Sequence, residues 1–134
     1  MNLLNLYRYA DAKNITVDCF DLEHIECMSM IFNDEYFITI NPISLASHSD
    51  ELVKLAHEIG HCETGCLYDA NTPLWVRQKY ECAADKWAIK KLIPKDELET
   101  AFEEGYTEVW ELAEYFDVTE DFVRKAAKEY GYLQ

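Results

Sequence analysis

The stretch His57-Glu58-Ile59-Gly60-His61 constrains this chain more than any other. On a helix residues four apart share a face, so both imidazoles can reach one metal ion. Glu58 then sits beside that ion. With four His and sixteen Glu among 134 residues, random placement gives this pattern roughly 0.014 times. The surroundings must therefore decide between a metal site and an exposed helix whose histidines are merely solvated.

The surroundings favour the metal. From Ser49 onward Leu52, Leu55, Ala56, Ile59 and Gly60 fall on one stripe, with Ser47 or Ser49 as N-cap and Asp50 and Glu51 at the positive helix end. A helix through His61 follows. A second helix is expected from about Val76 to Ile93, stopped by Pro94 and separated from the first by Gly65 and the Asp69–Pro73 stretch. It carries Glu81, twenty residues past His61, as the natural third ligand if the intervening loop returns it against the first helix. Asp85, one turn on, can accept the second ring N–H of a ligand histidine and fix its tautomer. Two histidines and one carboxylate leave a tetrahedral position of Zn²⁺ open to water, the arrangement of a catalytic site. Zinc lowers the pKa of such a water toward about 7, and Glu58 can take its proton and deliver it to a leaving amine.

His57-Glu58-xx-His61 followed by Glu81-xxx-Asp85 resembles the gluzincin arrangement, and more specifically the ImmA/IrrE family of metallopeptidases. The resemblance covers the central third of the chain: Ser49-Asp50-Glu51-Leu52, Leu55-Ala56-His57-Glu58-Ile59-Gly60-His61, Glu81, Ala84-Asp85-Lys86-Trp87-Ala88 and Leu92-Ile93-Pro94. Glu111-Leu112-Ala113, Phe116-Asp117-Val118-Thr119 and Val123 are similar to that family's tail. The resemblance implies zinc on His57, His61 and Glu81, with Glu58 as the base. It also implies a bacterial or phage-encoded protein whose substrate is a helix-turn-helix transcriptional repressor of a prophage or mobile element. Trp87 stands where many members carry Phe, and Ala83 where a second acidic residue is frequent, so Glu81 is the carboxylate left in register. The alternative function is a non-catalytic protein that uses the same fold to sequester a repressor or antitoxin.

The remaining sequence points to an α+β fold in which a small antiparallel three-stranded sheet packs on the zinc-bearing helices. Leu3, Leu4, Tyr7 and Ala10 recur at helical intervals from Asn2 to about Lys13. Ile15–Phe20, Cys27–Phe32 and Tyr36–Ile40 are short, rich in β-branched and aromatic residues and separated by polar breaks such as Asn33-Asp34. Tyr36–Ile40 is the expected edge along which a substrate strand would pair. Three further helices are expected over Lys95–Glu104, Glu108–Phe116 and Thr119–Tyr130. The expected organisation is one domain: helix and sheet over residues 1–48, metal-site helices over 49–94 and C-terminal helices over 95–134.

Twelve basic against twenty-six acidic side chains give a net charge of −14, which repels phosphate backbones and anionic lipid headgroups. The apolar spacing over residues 112–124 mimics a helix-turn-helix, but its acidic balance favours a packing helix pair over DNA binding. No apolar run reaches membrane length, the start MNLLNLYRYADAKN lacks the features of a signal peptide, and five cysteines show no disulfide spacing. A cytoplasmic protein is the expectation. Cys62, Cys66 and Cys82 could form a separate thiolate site, although buried small apolar roles fit them better. His24 and His48 are expected in loops or at the surface. Tyr68 and Tyr80 lie near the motif and could donate to an oxyanion, although an aromatic packing role is the commoner one and Tyr80, adjoining Glu81, could point to the other side of the helix.

Overall fold

The computed structural model describes residues 1–20 and 25–132. The expected loop position of His24 lies outside them. The chain runs α1 (Leu3–Ala12), β1 (Ile15–Cys19), β2 (Cys27–Phe32), β3 (Glu35–Ile40), α2 (His48–Thr64), α3 (Leu74–Leu92), α4 (Lys95–Glu103), α5 (Val109–Phe116) and α6 (Glu120–Glu129). This is an α+β fold with a helical C-terminal part. Asn2 caps α1 by accepting the Asn5 N–H at 2.8 Å.

Asn33 and Asp34 both adopt positive φ, 51° and 62°, which two-residue hairpin turns require, and they fold β3 directly back on β2. The sheet order is β1-β3-β2: β3 pairs antiparallel with β2 but parallel with β1. The sheet is therefore mixed, not antiparallel throughout, and β3 is its centre and not its edge. The physical reason is burial. Ile38 and Ile40 alternate inward at essentially zero exposure and need a neighbour on each side, whereas β2 leaves Met30, Ile31 and Phe32 exposed. Hydrophobic pattern marks strands as strands but says little about which becomes the middle one.

The inner sheet face packs on α2, where Leu52, Leu55, Ala56 and Ile59 are fully buried with Ile38 and Ile40. Ser47 caps α2 by accepting from Asp50 N–H at 3.1 Å, and Gly65 ends it at φ 70°, a left-handed conformation that glycine adopts without strain. α3 begins at Leu74, two residues earlier than expected, directly after Pro73 at its N-cap, and its first two residues, Leu74 and Trp75, are exposed. Gly60 sets the approach of α3 to α2: a Cβ there would lie 2.7 Å from the Ala84 carbonyl oxygen. Leu112, Ala113, Phe116, Val118, Phe122, Val123 and Ala126 of the α5–α6 pair are all buried in the core, as a packing pair requires.

Candidate metal centre

α2 presents His57 and His61 one turn apart, and α3 returns across the Gly60–Ala84 contact with Glu81 and Asp85 one turn apart. His57 Nε2 lies 2.6 Å from Glu81 Oε2, His61 Nε2 lies 3.1 Å from Glu81 Oε1, and the two Nε2 atoms are 3.2 Å apart. The two rings stand edge to face, 86° between planes. Among the described residues these three offer donor atoms that all lie within 4.8 Å of one another, a group that could hold a metal ion.

Hydrogen bonding on the far side of each ring decides what the near side offers. His61 Nδ1 is 2.7 Å from the Cys66 carbonyl oxygen, which only accepts, so Nδ1 carries the proton and a neutral ring turns its Nε2 lone pair inward. His57 Nδ1 is 2.8 Å from Asp85 Oδ1, and the same reasoning applies. Two neutral imidazoles so oriented would turn their lone pairs, with a carboxylate, toward one point, an arrangement that could hold a cation. Ligands at about 2.0–2.1 Å from a tetrahedral Zn²⁺ are separated by roughly 3.3 Å. The 3.1 and 3.2 Å separations are close to that edge, while the 2.6 Å between His57 Nε2 and Glu81 Oε2 is a hydrogen-bond distance that an ion would open by about 0.7 Å, so in residue type and placement the donor set could hold such an ion. Without one, protons fill the role. Burial lowers the His57 pKa, yet Asp85 and Glu81 outweigh it and raise it to about 9. Hydrogen bonds from His57, His61 and Tyr68 hold the Glu81 carboxyl far below the usual carboxylate range against the opposing effect of burial.

Beside this group lies a cleft of about 300 Å³ walled by Glu58, Tyr68 and Leu67 on one side and by Cys27, Met28 and Ser29 of β2 on the other. Glu58 is buried, and the Cys27 thiol points at its Oε1 from 3.6 Å. Burial and the Glu58 charge push that thiol well above the ordinary range, so it stays protonated and donates. The Tyr68 hydroxyl donates to Glu81 Oε1 at 2.6 Å, which raises its pKa to about 12, while Tyr80 does not line the cleft. A larger cleft of about 690 Å³ beside Tyr7, Asp11 and Ile15 holds no histidine or cysteine.

The structure brings His57, His61, Glu81, Asp85, Glu58 and Tyr68 together and leaves Cys62, Cys66 and Cys82 apart. Cys62 is buried, Cys82 exposed, and among the described residues none joins a donor cluster. His48 is exposed at the first turn of α2. Sequence reasoning missed the Cys27 contact, the Cys66 carbonyl and Lys125, whose Nζ reaches Asp85 Oδ2 at 3.5 Å from α6. Only the Cys66 carbonyl had a local signal: Gly65 turns the chain there by left-handed geometry.

A peptidase family model described as the IrrE N-terminal-like domain matches residues 7–128. The chain belongs to that family. No curated protein and no solved structure matches it. Family membership supports a metallopeptidase-type function, and the His57, His61 and Glu81 group is compatible with it. Among the described residues no helix is long and apolar enough to cross a membrane.

Proposed function

We propose that the protein is a zinc-dependent endopeptidase, with His57, His61 and Glu81 as ligands, Asp85 orienting His57, and Glu58 as general base. The observation that carries this reading is the convergence of two Nε2 lone pairs and the Glu81 carboxylate beside a cleft lined by Glu58. A bound Zn²⁺ would polarise the scissile carbonyl and acidify a water. Glu58 then accepts a proton on its cleft-facing carboxylate and passes it to the leaving amine, while Cys27 holds Oε1.

The substrate would lie extended along β2. Phe32 and Glu35 flank the tight turn as a doubly bonded pair, so Met30 and Met28 also bond to β3. The main-chain groups of Cys27, Ser29 and Ile31 therefore face the open edge, where a substrate strand can pair without demanding a sequence. Leu67 and Met28 offer an apolar wall to one substrate side chain. The resemblance to ImmA/IrrE proteins supports a helix-turn-helix repressor of a prophage or mobile element as substrate, acted on in the cytoplasm.

Glu58→Gln tests the assignment, because the amide is nearly isosteric and leaves all three ligands intact. With a repressor encoded beside the gene as substrate, the variant should keep zinc and repressor binding but cleave about 10²–10⁴ times more slowly on a gel. Equal cleavage by both proteins would remove Glu58 as base. Binding of the repressor by both with cleavage by neither would instead establish the sequestering function.

A further inference from the structure

Away from the metal cleft, α5 carries a pocket with no part in the chemistry above. Tyr106, Trp110 and Tyr115 wall a hollow of about 390 Å³ together with Glu111 and Glu114. The three aromatics remain 41%, 56% and 41% exposed, and the Tyr106 and Tyr115 rings stand 5.2 Å apart at 51°. On its other side, Trp110 and Glu114 also border a groove of about 460 Å³ closed by Asp117 and Glu120.

The charge around these rings is one-sided. Between Asp96 and Val123 the chain has eleven acidic residues and no lysine or arginine. Glu111 is occupied, accepting from the Thr107 and Glu108 N–H groups at 3.1 Å, but among the described residues no cation pairs with Glu104, Glu108, Glu111 or Glu114. Aromatic faces carry negative charge at their centres and attract cations, tryptophan most strongly, and a neighbouring carboxylate adds its own charge attraction. Anionic partners are repelled, and so is a second copy of a chain with net charge −14.

We propose that the Tyr106, Trp110 and Tyr115 pocket is a docking site for a basic polypeptide segment, taking one lysine or arginine side chain against the exposed rings with Glu114 as its counter-ion. A basic segment supplies both the charge that α5 lacks and an aliphatic stem to lie on the exposed rings. The site shares no residue with the metal cleft, so occupancy does not depend on the metallopeptidase reading.

The test is fluorescence anisotropy of a dye-labelled lysine- and arginine-rich peptide against the full chain at near-physiological salt, with the same peptide acetylated on its lysines and carrying citrulline for arginine as the neutral control. Trp110→Ala should weaken binding about tenfold, and Trp110→Phe should restore most of it. Glu114→Gln should weaken it several-fold, whereas Asp11→Asn on α1, which removes the same charge elsewhere, should not. Glu58→Gln and metal-stripped protein should bind as wild type does. The proposal is overturned if Trp110→Ala binds normally, or if Asp11→Asn costs as much as Glu114→Gln and the peptide reads overall charge alone. It is likewise overturned if tetramethylammonium quenches Trp110 while the peptide does not bind, since the pocket would then serve a small cation.

Discussion

Gly60→Ala should damage metal binding more than folding. The added Cβ would meet three main-chain atoms of Ala84, its oxygen at 2.7 Å, its Cα at 3.1 Å and its carbonyl carbon at 3.3 Å. Main chain cannot rotate away as a side chain can, so α3 must retreat by roughly 0.7 Å to restore ordinary contact. Alanine in a helix interior gains about 1 kcal/mol over glycine, against about 1–3 kcal/mol for the overpacked contact. The net loss of stability is therefore only about 0–2 kcal/mol. The metal site has less tolerance. Ala84 stands between Glu81 and Asp85, so the retreat carries both carboxylates away from His57 and His61, and metal distances tolerate only about 0.2 Å. Zinc affinity, measured by competition with a chromophoric chelator, should fall at least tenfold, while urea unfolding of the metal-free protein shifts modestly. Ala84→Gly should not rescue it, because the clash is with backbone. Gly131→Ala is the control: its φ of 86° strains a side chain but nothing lies within 4 Å, so stability drops and zinc affinity does not. Wild-type zinc affinity in Gly60→Ala would refute the inference that this contact sets the ligand geometry.

Three other outcomes follow from the metal-site residues. Glu81→Ala should abolish zinc uptake by elemental analysis, whereas Asp85→Ala, which only frees the His57 ring, should cost about 10–100-fold in affinity. In the metal-free protein the His57 pKa rises from 6.5 to about 9, so its pairing stabilises the fold fully below pH 6.5 and is lost as pH climbs toward 9. Glu81, shifted downward from 4.5, contributes above that value and is lost in acid, so thermal melts of the stripped protein should peak between about pH 4.5 and 6.5. Zinc must displace the His57 proton, so its affinity should rise over pH 6.5–9, and a flat profile there would contradict the His57 assignment.

The helices of this site are legible because their determinants are local. Ser47, Asp50 and Glu51 announce the start of α2, Pro94 ends the α3 segment, and the four-residue spacings of His57 with His61 and Glu81 with Asp85 put each pair on one face. What the sequence did not carry is lateral. Nothing within Ile15–Cys19 or Glu35–Ile40 states that these two strands pair parallel, since that depends on where the chain goes over the residues between them. Cys27 and Glu58 are 31 residues apart with no shared period, and the Cys66 group that orients His61 is a carbonyl, which every residue possesses.

That division explains why the grouping of Glu81 with the two histidines could be read from the sequence and the open edge of the sheet could not. A ligand set is over-determined: its residue types are few, its spacings follow from one helix period, and only a loop that closes is needed to join them. A sheet edge is a remainder, a strand paired on one side only after burial has chosen the centre. Ile38 and Ile40 bury completely and take the middle position, which leaves β1 and β2 as the two edges and brings Cys27, Met28 and Ser29 of β2 to the cleft beside Glu58. The cleft therefore arises from the competition between strands for the core, and exchanging apolar residues between β2 and β3 would relocate the edge without touching a single ligand.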